Sequence, residues 1–196
     1  MSHENFRLAL FASGNGTNAQ AIYKARQDGR LGPISPQVLI CDKDCPALRW
    51  GQDLGLASYL VKPRDYPDRK SHEQAILDLL QDHTIDLIAL AGYMRLLTPL
   101  LVGAYEGRIL NIHPALLPEF PGTEAIERAY EARVPFSGVT VHLVDEGMDS
   151  GPILAQKKVD LVPGQSLDDF AAAIHRVEHQ LYPATLASYA QKLAQA

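Results

Sequence analysis

Over the first 113 residues, short apolar runs alternate with longer stretches in which apolar residues recur at helical spacing. The runs 6–13 (FRLALFAS), 37–41 (QVLIC), 57–61 (ASYLV), 85–92 (IDLIALAG) and 108–113 (RILNIH) have strand character. Between them lie 18–29, 46–55, 69–83 and the shorter 99–107, which read as helices. Strands of about five residues separated by helices of about ten or more are the signature of βαβ units with parallel pairing. Several helical stretches end on glycine, at Gly29, Gly55 and Gly107, as a left-handed helix cap requires.

The rhythm changes after residue 113. A short helix is expected over 123–134, followed by strand-like runs at 138–147 and 152–161. A polar turn joins these runs, which makes a hairpin antiparallel to the rest. A long helix follows over 166–194, with Ser166 and Asp169 as its S-x-x-D start. Phe170, Ile174, Val177 and Leu181 mark its buried stripe, and Pro183 should kink or split it. The pattern as a whole is that of an α/β fold. Its core is a Rossmann-like, mostly parallel mixed sheet with helices on both faces, ending in a C-terminal hairpin and long helix. In such sheets ligands bind in the crevice at the carboxyl ends of the strands.

Composition narrows the picture. The 196 residues fit one domain, and 46% hydrophobic residues supply an ample core. A net charge of −5, with no block of lysines and arginines, argues against nucleic-acid or membrane-surface binding. Cys41 and Cys45 form a C-x3-C pair without a second pair, a poor zinc signal, and are read as two reduced thiols. No apolar window approaches the roughly 18 residues of a membrane span. The N-terminus lacks the basic and apolar regions of a signal peptide. The expected location is therefore the cytoplasm.

Candidate chemistry begins at 13-SGNGTNAQ-20, where the first strand feeds a helix. Backbone N–H groups of a glycine turn and a helix N-terminus together make an anion site, so this loop points to phosphate. Thr17 and Asn18 add side-chain donors or cap the helix. The same loop also fits the dinucleotide fingerprint G-x-G-x-x-A, which asks for an acid at the end of the second strand. Asp42 lies there, though 26 residues beyond Gly16, so the spacing is loose.

The second candidate is 108-RILNIHPALLPEFPG-122. Residues i and i+2 on a strand project to one face, so Asn111 and His113 should point together where Pro114 stops the ladder. An amide that donates to an oxyanion, beside an imidazole that moves a proton, suits acyl transfer. The acid to orient such a histidine would come from 145-DEGMDSGP-152, with Asp149 favoured because glycines flank its turn.

Taken together, NIHPALLPEFPG, GVTVHLV and MDSGPIL, in this order and spacing, resemble the formyltransferase superfamily that uses 10-formyltetrahydrofolate. The opening SGNGTNAQ is similar to the branch that formylates glycinamide ribonucleotide, and the likeness runs from about residue 6 to residue 185. The resemblance implies transfer of a formyl group from 10-formyltetrahydrofolate to the amine of N1-(5-phospho-D-ribosyl)glycinamide, in de novo purine biosynthesis, without a metal. It also implies a phosphate-binding half to about residue 105 and a catalytic, folate-binding half from about residue 106.

Residue by residue, the resemblance gives Gly16, Thr17 and Asn18 to the substrate phosphate and Glu178 to the glycinamide substrate. Asn111, His113 and Asp149 become the catalytic set. Arg69, Met94, Arg95, Leu96 and Leu97, with Asn111, become the folate contacts. His142 is either close support for the site or core. The segment 123-TEAIERAYEARVPFS-137 lacks histidines that some members carry, which leaves that loop open. Two other readings remain: a hydrolase passing the formyl group to water, and a dinucleotide-binding module built on GNGTNA and Asp42. The partners are small molecules, and the expected state is a monomer or homodimer.

Overall fold

The computed structural model describes residues 5–195. Its strands are β1 (Phe6–Ala12), β2 (Ile34–Cys41), β3 (Ala57–Leu60), β4 (Leu87–Leu90), β5 (Ile109–His113), β6 (Phe136–Leu143) and β7 (Ile153–Asp160). They form a seven-stranded sheet in the order β3-β2-β1-β4-β5-β6-β7. The pairs from β3 to β5 are parallel, whereas β5–β6 and β6–β7 are antiparallel. The helices are α1 (Thr17–Gln27), α2 (Pro46–Asp53), α3 (Arg69–Asp82), α4 (Pro99–Ala104), α5 (Ala125–Glu131) and α6 (Leu167–Gln195).

Alternation along β1 shows why the sheet is covered on both sides. Leu8, Leu10 and Ala12 enter a core shared with α1, α2, α5 and α6. Ala9 and Phe11 enter the opposite core, with Ile76, Leu77 and Leu80 of α3 and Leu101 of α4. Strands buried on both faces read as continuous apolar runs, which is how FRLALFA reads. The mixed sheet, the two helix layers and the hairpin all match the pattern in the sequence.

Some expectations change. Strand β2 begins at Ile34 rather than 37 and so includes Pro36. Strand β3 reaches β2 only from Val38 onward, and the pairing to β1 shifts register after Leu8, so Pro36 sits where a missing N–H costs little. Pro183 does not split the last helix, because α6 runs as one 29-residue element with Pro183 buried inside it. On α6 the buried stripe runs through Phe170, Ile174, Glu178, Tyr182, Leu186 and Ala190, while Val177 and Leu181 are only half-buried. A four-residue spacing drifts around the helix, and it carries a glutamate and a tyrosine inward. The S-x-x-D start is present: Asp169 N–H donates to Ser166 Oγ at 3.1 Å, and Ser166 Oγ–H donates to Asp169 Oδ2 at 2.7 Å. Gly29, Gly55 and Gly107 all have positive φ, as the caps required.

Two tyrosines fix α6 on the sheet. Tyr189 donates to the Gly107 carbonyl at 2.7 Å, before β5 begins. Tyr182, fully buried, donates to the carbonyls of Leu110 at 2.8 Å and Leu90 at 3.1 Å. Seven helical residues rise about 10.5 Å and three strand residues about 10 Å, so α6 runs antiparallel to β5 in step with it. Tyr182→Phe removes the one hydroxyl that these carbonyls share. It is expected to lower unfolding free energy by about 1–2 kcal/mol, read as a lower urea midpoint at unchanged slope.

Candidate active site

The switch in strand order falls between β1 and β4, and the segments after these strands are tied to each other. Ser13 N–H donates to Gly92 O at 3.0 Å, and Met94 N–H donates to Ser13 Oγ at 2.9 Å. Beyond β1, Gly16 sits at the start of α1 with φ +69°, and a Cβ there would lie 2.6 Å from Ala47 Cβ. Only glycine fits this approach of the loop to α2. No side chain caps α1, so the N–H groups of its first turn stay open to an anion. Thr17 is exposed beside them and Asn18 is buried with Oδ1 unpartnered, so neither caps the helix. Asp42 stands at the end of β2 with a buried, unpartnered Oδ1.

Asn111 and His113 do share a face of β5. Both project to the side of α3 and α4, since Leu110 and Ile112 between them enter the opposite core. Across the ladder they pair with His142 and Thr140 of β6. Asp149 joins them from the loop after β6. Its carboxylate lies 3.4 Å from Asn111 Nδ2, 3.4 Å from His113 Nδ1 and 3.5 Å from His142 Nε2. It also accepts the Gly122 N–H at 2.8 Å. Burial alone would raise this carboxyl, but the His142 hydrogen bond, the Gly122 N–H and the nearby histidine charges outweigh it and hold it below the ordinary value. The stability these contacts supply is therefore present above the ordinary carboxyl range and lost as pH falls through the lowered value.

Hydrogen-bond partners assign the ring nitrogens. The Phe120 carbonyl, 2.8 Å from His113 Nε2, can only accept, so Nε2 carries a proton. His113 Nδ1 is thus the nitrogen that faces Asp149 and can gain or lose a proton there. For His142, Nδ1–H donates to Leu143 O at 2.8 Å. Its Nε2 lies 3.1 Å from Asn111 Nδ2 and 3.5 Å from Asp149 Oδ1, so the neutral ring accepts from the amide and the protonated ring donates to the carboxylate. His142 is therefore part of the site's support rather than core. The loop after β5 is strapped to the hairpin: Thr140 Oγ–H donates to Ala115 O at 2.7 Å, and Gln156 Nε2 donates to Leu117 O at 2.9 Å.

The expected folate contacts rim the same opening. Met94 is 73% exposed and Leu96 55%, so neither is core, and Met148 is equally exposed near Gly122. Arg95 and Leu97 are half-buried. Arg69 opens α3 and donates to Leu96 O at 2.7 Å, holding the segment rather than standing free in solvent. Buried Glu73 accepts from the N–H and hydroxyl of Thr98 and pins the other end. Sequence reasoning missed Glu73, the Phe120 carbonyl and the Gly122 N–H. The two prolines and the glycine of LPEFPG mark a rigid loop but not which of its backbone groups turn inward.

Glu178 reaches this crevice from the other face. It lies one helical turn before Tyr182, about 6 Å further along α6, hence beyond the level of Leu110 and at the carboxyl ends of β4 and β5. It is 4% exposed, and its Oε2 lies 2.7 Å from His175 Nδ1. The hydrogen bond to Glu178 raises the His175 pKa against the opposing effect of burial, with Glu127 adding to the rise. This pairing stabilises the fold below the ordinary histidine value and is lost as pH rises through the raised one. In NMR titrations His175 is expected to titrate above its ordinary range, and Glu178→Gln to bring it down.

Wider comparison agrees with this architecture. The family model described as formyl transferase matches residues 6–186. Phosphoribosylglycinamide formyltransferase of Bacillus subtilis (strain 168) is 42% identical over 181 residues, covering 92% of each chain. The crystal structure of phosphoribosylglycinamide formyltransferase from Bacillus halodurans superposes with a TM-score of 0.92 at 46% identity, covering 95% of this chain and 96% of that one. Glycinamide ribonucleotide transformylase 1 of Geobacillus kaustophilus gives a TM-score of 0.91 at 49% identity, covering 94% and 98%. A match of this extent, on a chain whose asparagine, histidine and aspartate converge at the strand ends, establishes that it belongs to the formyl transferase family.

Proposed function

We propose that this protein transfers the formyl group of 10-formyltetrahydrofolate directly to the amine of glycinamide ribonucleotide, in the cytoplasm, as a step of de novo purine biosynthesis. The observation that carries the proposal is the two-sided crevice. The open N-terminus of α1 and the buried Glu178 approach from one face of the sheet. Asn111, His113, Asp149 and the exposed Met94, Leu96 and Met148 approach from the other. A phosphorylated amine and a folate can thus meet over the carboxyl ends of β4 and β5, with neither passing through a covalent enzyme intermediate. The similarly named relatives support the choice of acceptor.

In this reading Gly16, Thr17 and Asn18 hold the phosphate, and Glu178 receives the glycinamide ribonucleotide. Arg69 steadies Met94–Leu97, whose backbone and side chains receive the folate. The N-terminal half, to about residue 105, supplies the phosphate loop, and the half from about residue 106 supplies the catalytic set. The amine lone pair attacks the formyl carbon, and the carbonyl oxygen becomes an oxyanion that takes hydrogen bonds from Asn111 Nδ2 and a protonated His113 Nδ1. The C–N10 bond then breaks, its electron pair stays on N10, and N10 gains a proton as the amine nitrogen loses one. Asp149 supports the positive charge on His113 while the oxyanion stands. Proximity and charge placed in advance do the work.

The test is a spectrophotometric assay with 10-formyl-dideazafolate and glycinamide ribonucleotide. Wild-type turnover should require the amine. Asn111→Ala and His113→Ala should each lose on the order of 10²–10³ in kcat, the range seen when one oxyanion donor is removed elsewhere. Formate release without the amine would indicate a hydrolase instead. Tight NAD binding unaffected by glycinamide ribonucleotide would favour a dinucleotide module. Turnover that survives both substitutions would remove Asn111 and His113 from the chemistry.

A further inference from the structure

Arg128 lies on α5, outside the polar cluster, yet it touches the segment that completes it. Its Nη2 donates to the Pro121 carbonyl, and its guanidinium carbon stands 5.9 Å from the centroid of the Phe120 ring. This segment delivers two backbone groups to the catalytic set: Phe120 O to His113 Nε2, and Gly122 N–H to Asp149. The segment does not hold itself in place. Among the described residues, 120–123 make no hydrogen bond from backbone to backbone. Phe120 and Glu124 also have φ of +50° and +56°, a left-handed conformation that costs a side-chain-bearing residue energy unless its surroundings enforce it. Phe120 packs against the core shared with α5 and α6, and three side chains hydrogen-bond to the segment's backbone: His113, Asp149 and Arg128. The first two belong to the catalytic set, which leaves Arg128 as the anchor from outside. Its planar fork can donate to a carbonyl and lie over a ring at once, which an ammonium on a flexible stem does poorly.

We infer that Arg128 is a positioning residue for His113. By holding Phe120 and Pro121 it keeps the Phe120 carbonyl on Nε2, so the proton that His113 gains and gives up is the one on Nδ1, beside Asp149 and the reacting carbonyl. A neutral histidine left free to exchange tautomers spends part of its time with its proton on the wrong nitrogen. The catalytic side of this inference rests on the proposed formyl transfer; the tautomer side does not.

Both sides are testable in 15N-histidine-labelled protein. Wild type should show a neutral His113 protonated at Nε2 and bare at Nδ1. Arg128→Ala should give a mixture of tautomers and a kcat about tenfold lower, with the KM of both substrates within about twofold, as small misplacements of catalytic groups do. Arg128→Lys should fall between the two on both readouts, and it carries the test should the alanine variant not fold. His113 shifts unchanged in the folded variants would overturn the inference, even if thermal stability fell, because Arg128 would then be merely structural. An altered tautomer with wild-type kcat would overturn it as well. Wild-type protein without formyl transfer would defeat the proposed function, and the nitrogen spectra would still decide the role of Arg128.

Discussion

The Asp149 carboxylate accepts a backbone N–H from Gly122 and faces two imidazoles and an amide within 3.5 Å, and the geometry of the whole strand edge depends on it. Bringing a carboxylate into such a place is costly by itself, and the cost is met because Gly122 N–H and the Asn111 amide donate to it and both imidazoles do so once protonated. The backbone yields too: Asp149 takes φ +53°. A side chain at Gly151 would put its Cβ 1.8 Å from Leu143 O, so the loop can return tightly against β6 only with glycine there. The glycine and the aspartate of MDSGP thus have one purpose, to set an anion beside the end of β5.

Everything that meets this anion comes from a different part of the chain. Strand β5 supplies Asn111 and His113, β6 supplies His142, and the loop after β5 supplies Gly122, whose neighbour Phe120 turns its carbonyl to His113. The antiparallel addition of β6 and β7 to a parallel sheet is what makes the arrangement possible. It places His142 opposite Asn111 on the same face and lets the loop after β6 fold back across the carboxyl ends. The parallel half supplies the other need. Its strand order changes between β1 and β4, opening a crevice there, with the helix N-terminus after β1 on one side and the segment after β4 on the other.

Much of this was legible in the residues. Periodicity located the strands and helices because both cores need apolar positions at regular spacing. The i, i+2 pair of NIH could be read as one face because a strand allows nothing else. The glycine turn could be read as an anion site because its donors are backbone groups. What escaped was long-range or carried by the main chain. Nothing local marks Phe120 as the carbonyl that meets His113, or Glu73 as the side chain that pins Thr98. The inward turn of Glu178 follows from the register of α6, which Tyr182 and Tyr189 set through carbonyls far away in sequence. The split allowed for at Pro183 does not occur, since the packing of α6 carries one helix through a local breaker.

The central claim is that a charged Asp149 arranges and electrostatically supports the group that handles the formyl oxygen and the proton. Asp149→Asn keeps the shape and can still accept from Gly122 but removes the charge. In single-turnover experiments with both substrates saturating, the account expects formyl transfer to slow on the order of 10²-fold or more while both substrates bind within a few-fold of wild type. A variant that transfers the formyl group at the wild-type rate would contradict it.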